Sequence, residues 1–232
     1  LLIVSVAGLA LVLPAAASDR SEDIGRIAKA TQAFEEIMGS PDRAIPKELM
    51  DAAKCVAIFP GTDKPVYLFG VKYAKGLATC RAAGAWSAPI FLTLAGTGGT
   101  GNGAESTDFQ LGGSITDVVM LFMNDHAVQT LGSDKFKIGT DATVAAGPVG
   151  KDSTTGSERK ADILSYTRSK GHLDGFSLDG TSVQADDSGD KAIYAANSGR
   201  EDILNGKVAV PKSARRLATD LAKYAPPALS RN

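Results

Sequence analysis

The apolar positions of this chain change their period at Cys55. Before that point they recur at helical steps. Ile24, Ile27, Thr31, Phe34 and Met38 fall on one side and Glu22, Arg26, Lys29 and Glu35 on the other, which predicts an amphipathic helix over residues 19–38. Gly39-Ser40-Pro41-Asp42 ends it. A short second helix starts at Pro46, where the missing N–H costs nothing, and carries Leu49, Met50 and Ala53. After Cys55 the apolar runs are short, rich in β-branched residues and separated by Gly, Pro and Asp. They predict strands at 55–59, 66–73, 77–81, 90–94, 109–115, 137–146, 163–168, 175–187 and 191–194. Val118–Met123 is apolar throughout, as expected of a strand buried on both faces, and Asn124 caps a short helix running to Leu131. The run Gly96-Thr97-Gly98-Gly99-Thr100-Gly101-Asn102-Gly103 has no apolar anchor and reads, with residues up to 106, as a flexible insertion. Near the end, Pro211 opens a helix with Ala214, Leu217, Ala218, Leu221 and Tyr224 on one face and Lys212, Arg215, Arg216 and Lys223 on the other. Such a helix either docks its apolar face on its own domain or lies on an anionic membrane surface. Many short strands after a helical start predict an α+β fold. Its antiparallel sheet would form a barrel or sandwich, with N-terminal helices and a C-terminal amphipathic helix.

The first residues change the picture of where the protein works. Leu1–Leu13 is uncharged and apolar and is followed by Pro14-Ala15-Ala16-Ala17-Ser18, the h-region and small-residue site of a signal peptide entered partway, with cleavage expected after Ala17. A secreted or periplasmic location follows as an expectation. The 25 basic and 26 acidic side chains nearly cancel, so no global field draws in nucleic acid. Cys55 and Cys80 are the only cysteines. An oxidising compartment favours a disulfide between them; two separate buried thiols are the alternative. With two isolated histidines they form no recognisable metal-ligand spacing, and no cofactor motif is present.

Candidate chemistry is sparse. Ala145-Ala146-Gly147-Pro148-Val149-Gly150-Lys151-Asp152 superficially resembles a phosphate loop. However, Ala145 replaces the first glycine, Asp152 replaces the hydroxyl residue, and Pro148 removes an N–H donor. Gly112-Gly113-Ser114 lacks the second glycine of a nucleophile elbow, and neither His126 nor His172 lies in a triad-like pattern. Asp174 and Asp179 could serve as an acid–base pair, or be solvated turn residues.

Several separated stretches, in order, resemble the SYLF domain family, a lipid-binding module found in yeast and animal actin-patch proteins. They are Ile45-Pro46 leading into Ala53–Pro60, Gly76–Arg81, Trp86-Ser87-Ala88-Pro89, Thr116–Asn124, Ala145–Gly150, Ser165–Gly171 and Gly175–Gly180. The resemblance covers roughly residues 45–195. It implies a non-enzymatic domain that binds acidic phospholipids, of phosphoinositide type or bacterial anionic type, in a stand-alone exported form. On that reading the chain divides into a signal peptide (1–17), an N-terminal amphipathic helix (18–44), the SYLF-like domain (45–195) and a C-terminal extension with the basic helix (196–232). Lys151, Arg168 and Lys170, at the ends of turns and strands, are the expected phosphate ligands, and Lys212, Arg215, Arg216 and Lys223 the expected membrane contacts. Export would make actin an unexpected partner. An envelope protein partner, or a hydrolase using His126 or His172, are the other readings.

Overall fold

The computed structural model describes residues 20–39, 44–61, 66–68, 71–82, 84–96, 116–150, 160–169, 172–175, 178–194 and 198–226. The expected leader at 1–17, the strand at 109–115 and most of the 96–106 insertion lie outside them.

Helix α1 (Arg20–Met38) carries Glu22 and Asp23 in its first turn, where carboxylates complement the helix dipole. Ile27, Ala30, Phe34, Ile37 and Met38 are buried as the periodicity demands, but so are Asp23 and Arg26, while Ile24 is 40% exposed. The apolar stripe is rotated from the expected one for an ionic reason. Arg26 donates to Asp186 at 2.8 Å, lies 2.8 Å from Asp23 and covers the ring of Phe91. Burial of such a charge requires partners of this kind. Helix α2 (Lys47–Ala52) follows Pro46 and buries Leu49 and Met50.

The strands are β1 (Cys55–Phe59), β2 (Val66–Leu68), β3 (Val71–Ala82), β4 (Ala85–Trp86), β5 (Ile90–Gly96), β6 (Thr116–Phe122), β7 (Lys135–Lys137), β8 (Val144–Ala146), β9 (Ile163–Ser169), β10 (His172–Gly175) and β11 (Ser182–Ala185). The main path runs β10-β9-β6-β1-β3-β5-β11-β7, with β2 and β4 added on β3 and β8 on β9. The described strand pairings are antiparallel except β8–β9, which is parallel, as is the isolated bridge between Ile138 and Ala142. The path curls into a half-barrel instead of closing.

Each face of the central strands has its own core. Val56, Ile58, Leu77, Phe91, Val119, Leu121, Leu164 and Tyr166 face α1, α2 and the C-terminal helix α6 (Arg215–Tyr224). Ala57, Phe59, Ile90, Leu92, Leu94, Val118, Met120 and Phe122 form the second core, where Phe136, Ile138, Leu178 and Val183 meet them. Helix α3 (Asp125–Gly132) and helix α5 (Arg200–Leu204) also pack there. This double coverage is why β1 and β6 read as unbroken apolar runs. Asn124 caps α3 as expected, accepting from Ala127 N at 2.9 Å.

Several expected strands are redrawn. Residues 66–73 and 77–81 form β2 and one long β3, paired as a hairpin. The 137–146 run is split because the Asp141 side chain accepts from Lys137 N at 2.7 Å and folds the chain into a turn. The 175–187 run breaks at a turn around Asp179–Gly180. Residues 191–194 are not a strand. Residues 191–193 close helix α4 (Asp187–Ile193), with Tyr194 as its C-cap; the helix is started by Asp186, whose carboxylate accepts from Ser188 Oγ at 2.6 Å and Gly189 N at 3.2 Å. That cap outweighs the β character of Ile193 and Tyr194.

Cys55 and Cys80 stand directly opposite each other on β1 and β3 and are joined by a disulfide. The bridge is sealed in, with Cys55 and Cys80 at 0% and 3% exposure.

Candidate functional site

The Ala-Ala-Gly-Pro-Val-Gly segment is a packing hub. Gly147 N donates to Ser165 O at 3.0 Å, and Gly150 N to Ala44 O at 3.3 Å, so these N–H groups serve the fold. The Tyr166 ring occupies the space beside Gly147: a Cβ there would lie 2.0 Å from Cζ. Gly175 approaches so closely that its own Cβ would lie 2.1 Å from Gly147 O. Glycine is required here for contact between backbones and a ring, with no phosphate cradle.

Of the three expected phosphate ligands, Lys151 and Lys170 lie outside the described residues. Arg168 is placed, and its charge is already compensated. It stands opposite Asp117 across β9 and β6 and donates from Nε to Asp117 at 2.9 Å, while Nη2 reaches Glu36 of α1 at 2.6 Å. The other Asp117 oxygen accepts from Gly61 N at 2.8 Å. Asp117 is buried; in the sequence it stood at the head of an apolar run, inside a stretch that resembles the family, with no sign of its partner.

The C-terminal helix resolves the choice left by its sequence. After a 3₁₀ turn at Lys212–Ala214, α6 buries Leu217 and Leu221 in the core beside α1, and Ala214 and Ala225 are buried too. Phe34 and Tyr224 pack edge to face. The end is fastened by Trp86 Nε1 to Ala225 O at 3.2 Å and Arg81 Nη1 to Pro226 O at 2.6 Å. Arg81 also donates to the carbonyls of Ala53 and Met50, binding the end of α2. The apolar face is therefore docked, and only the cationic face is available to solvent. Along it, Arg216 is paired with Glu35 and Lys223 lies over the Tyr224 ring. Lys212 and Arg215 are exposed and have no acidic partner among the described residues.

The histidines do not build a catalytic group. His126 Nδ1 lies 3.4 Å from Asp162, but the imidazole is largely exposed. Asp162 is occupied structurally: its oxygens accept from Asn124 Nδ2 at 2.7 Å and from the N–H and hydroxyl of Thr143 at 2.8 and 2.7 Å. Burial opposes ionisation of Asp162, but these donors, with His126, outweigh it and hold the carboxyl down at about 2. His172 is exposed on β10. Asp174 is on β10, at one end of the strand order, and Asp179 lies against Gly139 just past β7, at the other. Elsewhere, burial pushes Asp190 up to about 6, against a hydrogen bond from Phe91 N at 2.8 Å and the nearby Arg200. Among the described residues no group of His, Cys, Asp and Glu could hold a metal ion, and no helix is long and apolar enough to cross a membrane.

Comparison with known proteins supplies the class. The profile described as "Ysc84: Las17-binding protein actin regulator" matches residues 103–224. The chain is 30% identical to the SH3 domain-containing protein PJ696.02 of Schizosaccharomyces pombe, over 89% of this chain and 47% of that protein. It is 28% identical to the SH3 domain-containing YSC84-like protein 1 of Bos taurus, over 86% of this chain and 58% of that protein. Protein YSC84 of Saccharomyces cerevisiae is 27% identical, over 82% of this chain and 40% of that protein. The chain thus spans about half the length of these relatives. No solved structure matches it. The profile's reference to actin runs against the expectation, drawn from export, that actin is not a partner. The profile match over more than half of the sequence and the 30% identity over 89% of it lead to one assignment: the chain belongs to the Ysc84, or SYLF, family.

Proposed function

We propose that this chain is a non-enzymatic module that binds acidic phospholipid surfaces through the outward face of α6. The observation that carries the reading is the division of labour on that helix. Leu217 and Leu221 are committed to the core, while Lys212 and Arg215 face solvent uncompensated. Each basic residue near an anionic surface contributes about 1 kcal/mol, so the affinity is modest and salt-sensitive. Lys151 and Lys170 are further candidate phosphate contacts; Arg168, held by Asp117 and Glu36, serves the scaffold in this reading. The sealed disulfide suits an exported protein, and we keep export as part of the proposal.

Co-sedimentation with phosphatidylglycerol–phosphatidylcholine vesicles at low and high salt tests it. Binding is expected at low salt and should fall about tenfold or more in the Lys212→Ala/Arg215→Ala variant. Undiminished binding by that variant, with loss in Lys151→Ala/Lys170→Ala, would move the site to those two lysines.

The family description favours a second reading, a protein partner of the actin-regulating kind. Salt-insensitive capture of such a protein, with no binding to vesicles of either charge, is its signature.

A further inference from the structure

Two carboxyl groups and one guanidinium meet where α1 and α6 cross. Arg216 donates from Nε and Nη2 to the two oxygens of Glu35, both at 2.6 Å, which leaves each oxygen a further lone pair. Asp220, one turn further along α6, has its Oδ2 at 3.9 Å from Arg216 Nε, beyond hydrogen-bond reach. That oxygen is buried and receives no hydrogen bond among the described residues. A bare carboxylate there would be partly desolvated and without a hydrogen bond, an arrangement that favours protonation against the opposing attraction of Arg216 and Lys223. A proton on Asp220 removes the conflict, because the hydroxyl can donate to Glu35.

We propose that Glu35 and Asp220 share one proton across the α1–α6 seam, and that its uptake and release set the net charge of the outer face of α6. The lipid half of the inference rests on the membrane reading above; the proton half does not. Burial, then the hydrogen bond to Glu35, push the Asp220 carboxyl up, while the hydrogen bonds from Arg216 and Asp220 pull Glu35 down. Lys223 of α6 faces both groups, and Glu36 of α1 faces Glu35 but is itself held by Arg168. In the preceding turn Lys212 adds a cation, while on α2 Lys47 and Asp51 pair with each other, and β4 brings only Ala85 and Trp86. With the proton in place, Glu35, Asp220, Arg216 and Lys223 carry one net positive charge; without it they carry none.

The sign follows from linkage. Asp220, raised on folding, contributes stability that is fully present below its unfolded pKa and is lost as pH rises through its folded one. Glu35, lowered on folding, contributes above its unfolded pKa and loses that contribution as pH falls through its folded one. The seam is therefore tightest between the two, and acidification toward that window removes an anion from the face that meets the lipid.

The test compares the full chain with Asp220→Asn, whose amide donates to Glu35 at every pH. Melting temperatures between about pH 4 and about pH 8 should fall less steeply with rising pH in the variant, contributions such as that of Asp190 cancelling in the comparison. Vesicles of phosphatidylglycerol and phosphatidylcholine should bind the wild type about fivefold more tightly at the lower pH than at the upper. The variant should keep the higher affinity at both. Identical pH profiles for the two proteins overturn the shared proton. A carboxyl ¹³C titration of Asp220 in the wild type needs no variant, and a value at or below the ordinary of about 3.9 overturns it equally. Vesicle binding absent at both pH values, with the melting difference intact, upholds the proton and rejects the membrane reading instead.

Discussion

Gly147 shows how little room one position can have. Its missing side chain is replaced by the Tyr166 ring, and Gly175 presses on its carbonyl from the neighbouring strand. Gly147→Ala would drive a methyl group into a fully buried ring, and overpacking of a dense core costs roughly 1–3 kcal/mol, more where backbone must move. Chemical denaturation should register that loss, and a change within about 0.5 kcal/mol would show that the ring is not fixed. Asp162 makes the opposite kind of residue-scale case, in which a charge is wanted. Asp162→Asn turns a carboxylate that only accepts into an amide that must present N–H groups to donors. A cost of roughly 1–2 kcal/mol at neutral pH is expected after allowance for solvent screening. Because folding lowers this carboxyl to about 2, its contribution is present above the unfolded value and is lost as pH falls. Melting curves of the two proteins should therefore converge between about pH 4 and about pH 2.

Among the elements, the disulfide joins adjacent strands at the centre of the sheet, closing a sequence separation of 25 residues. The chain-entropy account assigns such a closure roughly 3 kcal/mol, so Cys55→Ala/Cys80→Ala should lower the denaturation midpoint accordingly while keeping the fold. Reducing agent alone should act slowly on the native protein, because both sulfur-bearing residues are buried. Which elements were legible in the sequence follows the same division between local and distant causes. β1 and β6 declared themselves as unbroken apolar runs, α1 and α6 by their helical period, and α3 by its local Asn124 cap. Helix α4 did not, because its start depends on an Asp186 carboxylate shared between Ser188, Gly189 and the distant Arg26. The cations of α6 were readable as a face. Their standing was not, because Glu35, which neutralises Arg216, lies 181 residues away in sequence. The same holds for Arg168, whose partners Asp117 and Glu36 come from other elements.

At the scale of the molecule, the family match begins at residue 103, yet the fold does not divide there. Strand β6 pairs with β1 on one side, β11 pairs with β5, and α6 rests on a core shared with α1. A fragment of residues 103–224 would leave β6 and β11 without those neighbours. It would also lose Ile27, Phe34, Val56, Ile58, Phe59, Leu77, Ile90 and Phe91, all at 0% exposure in the intact chain. Each such side chain contributes about 1.5–3 kcal/mol on burial. Their combined loss, about 12–24 kcal/mol, matches or exceeds the roughly 5–15 kcal/mol by which a domain of this kind is stable. The fragment should therefore show no cooperative thermal transition by circular dichroism and should bind a dye specific for exposed apolar surface. Residues 20–226 should melt in a single step. Cooperative melting of 103–224 would mean that the sheet can be completed without its N-terminal half. In that case the seams at Arg26–Asp186 and Glu35–Arg216 would join two separable units instead of closing one core.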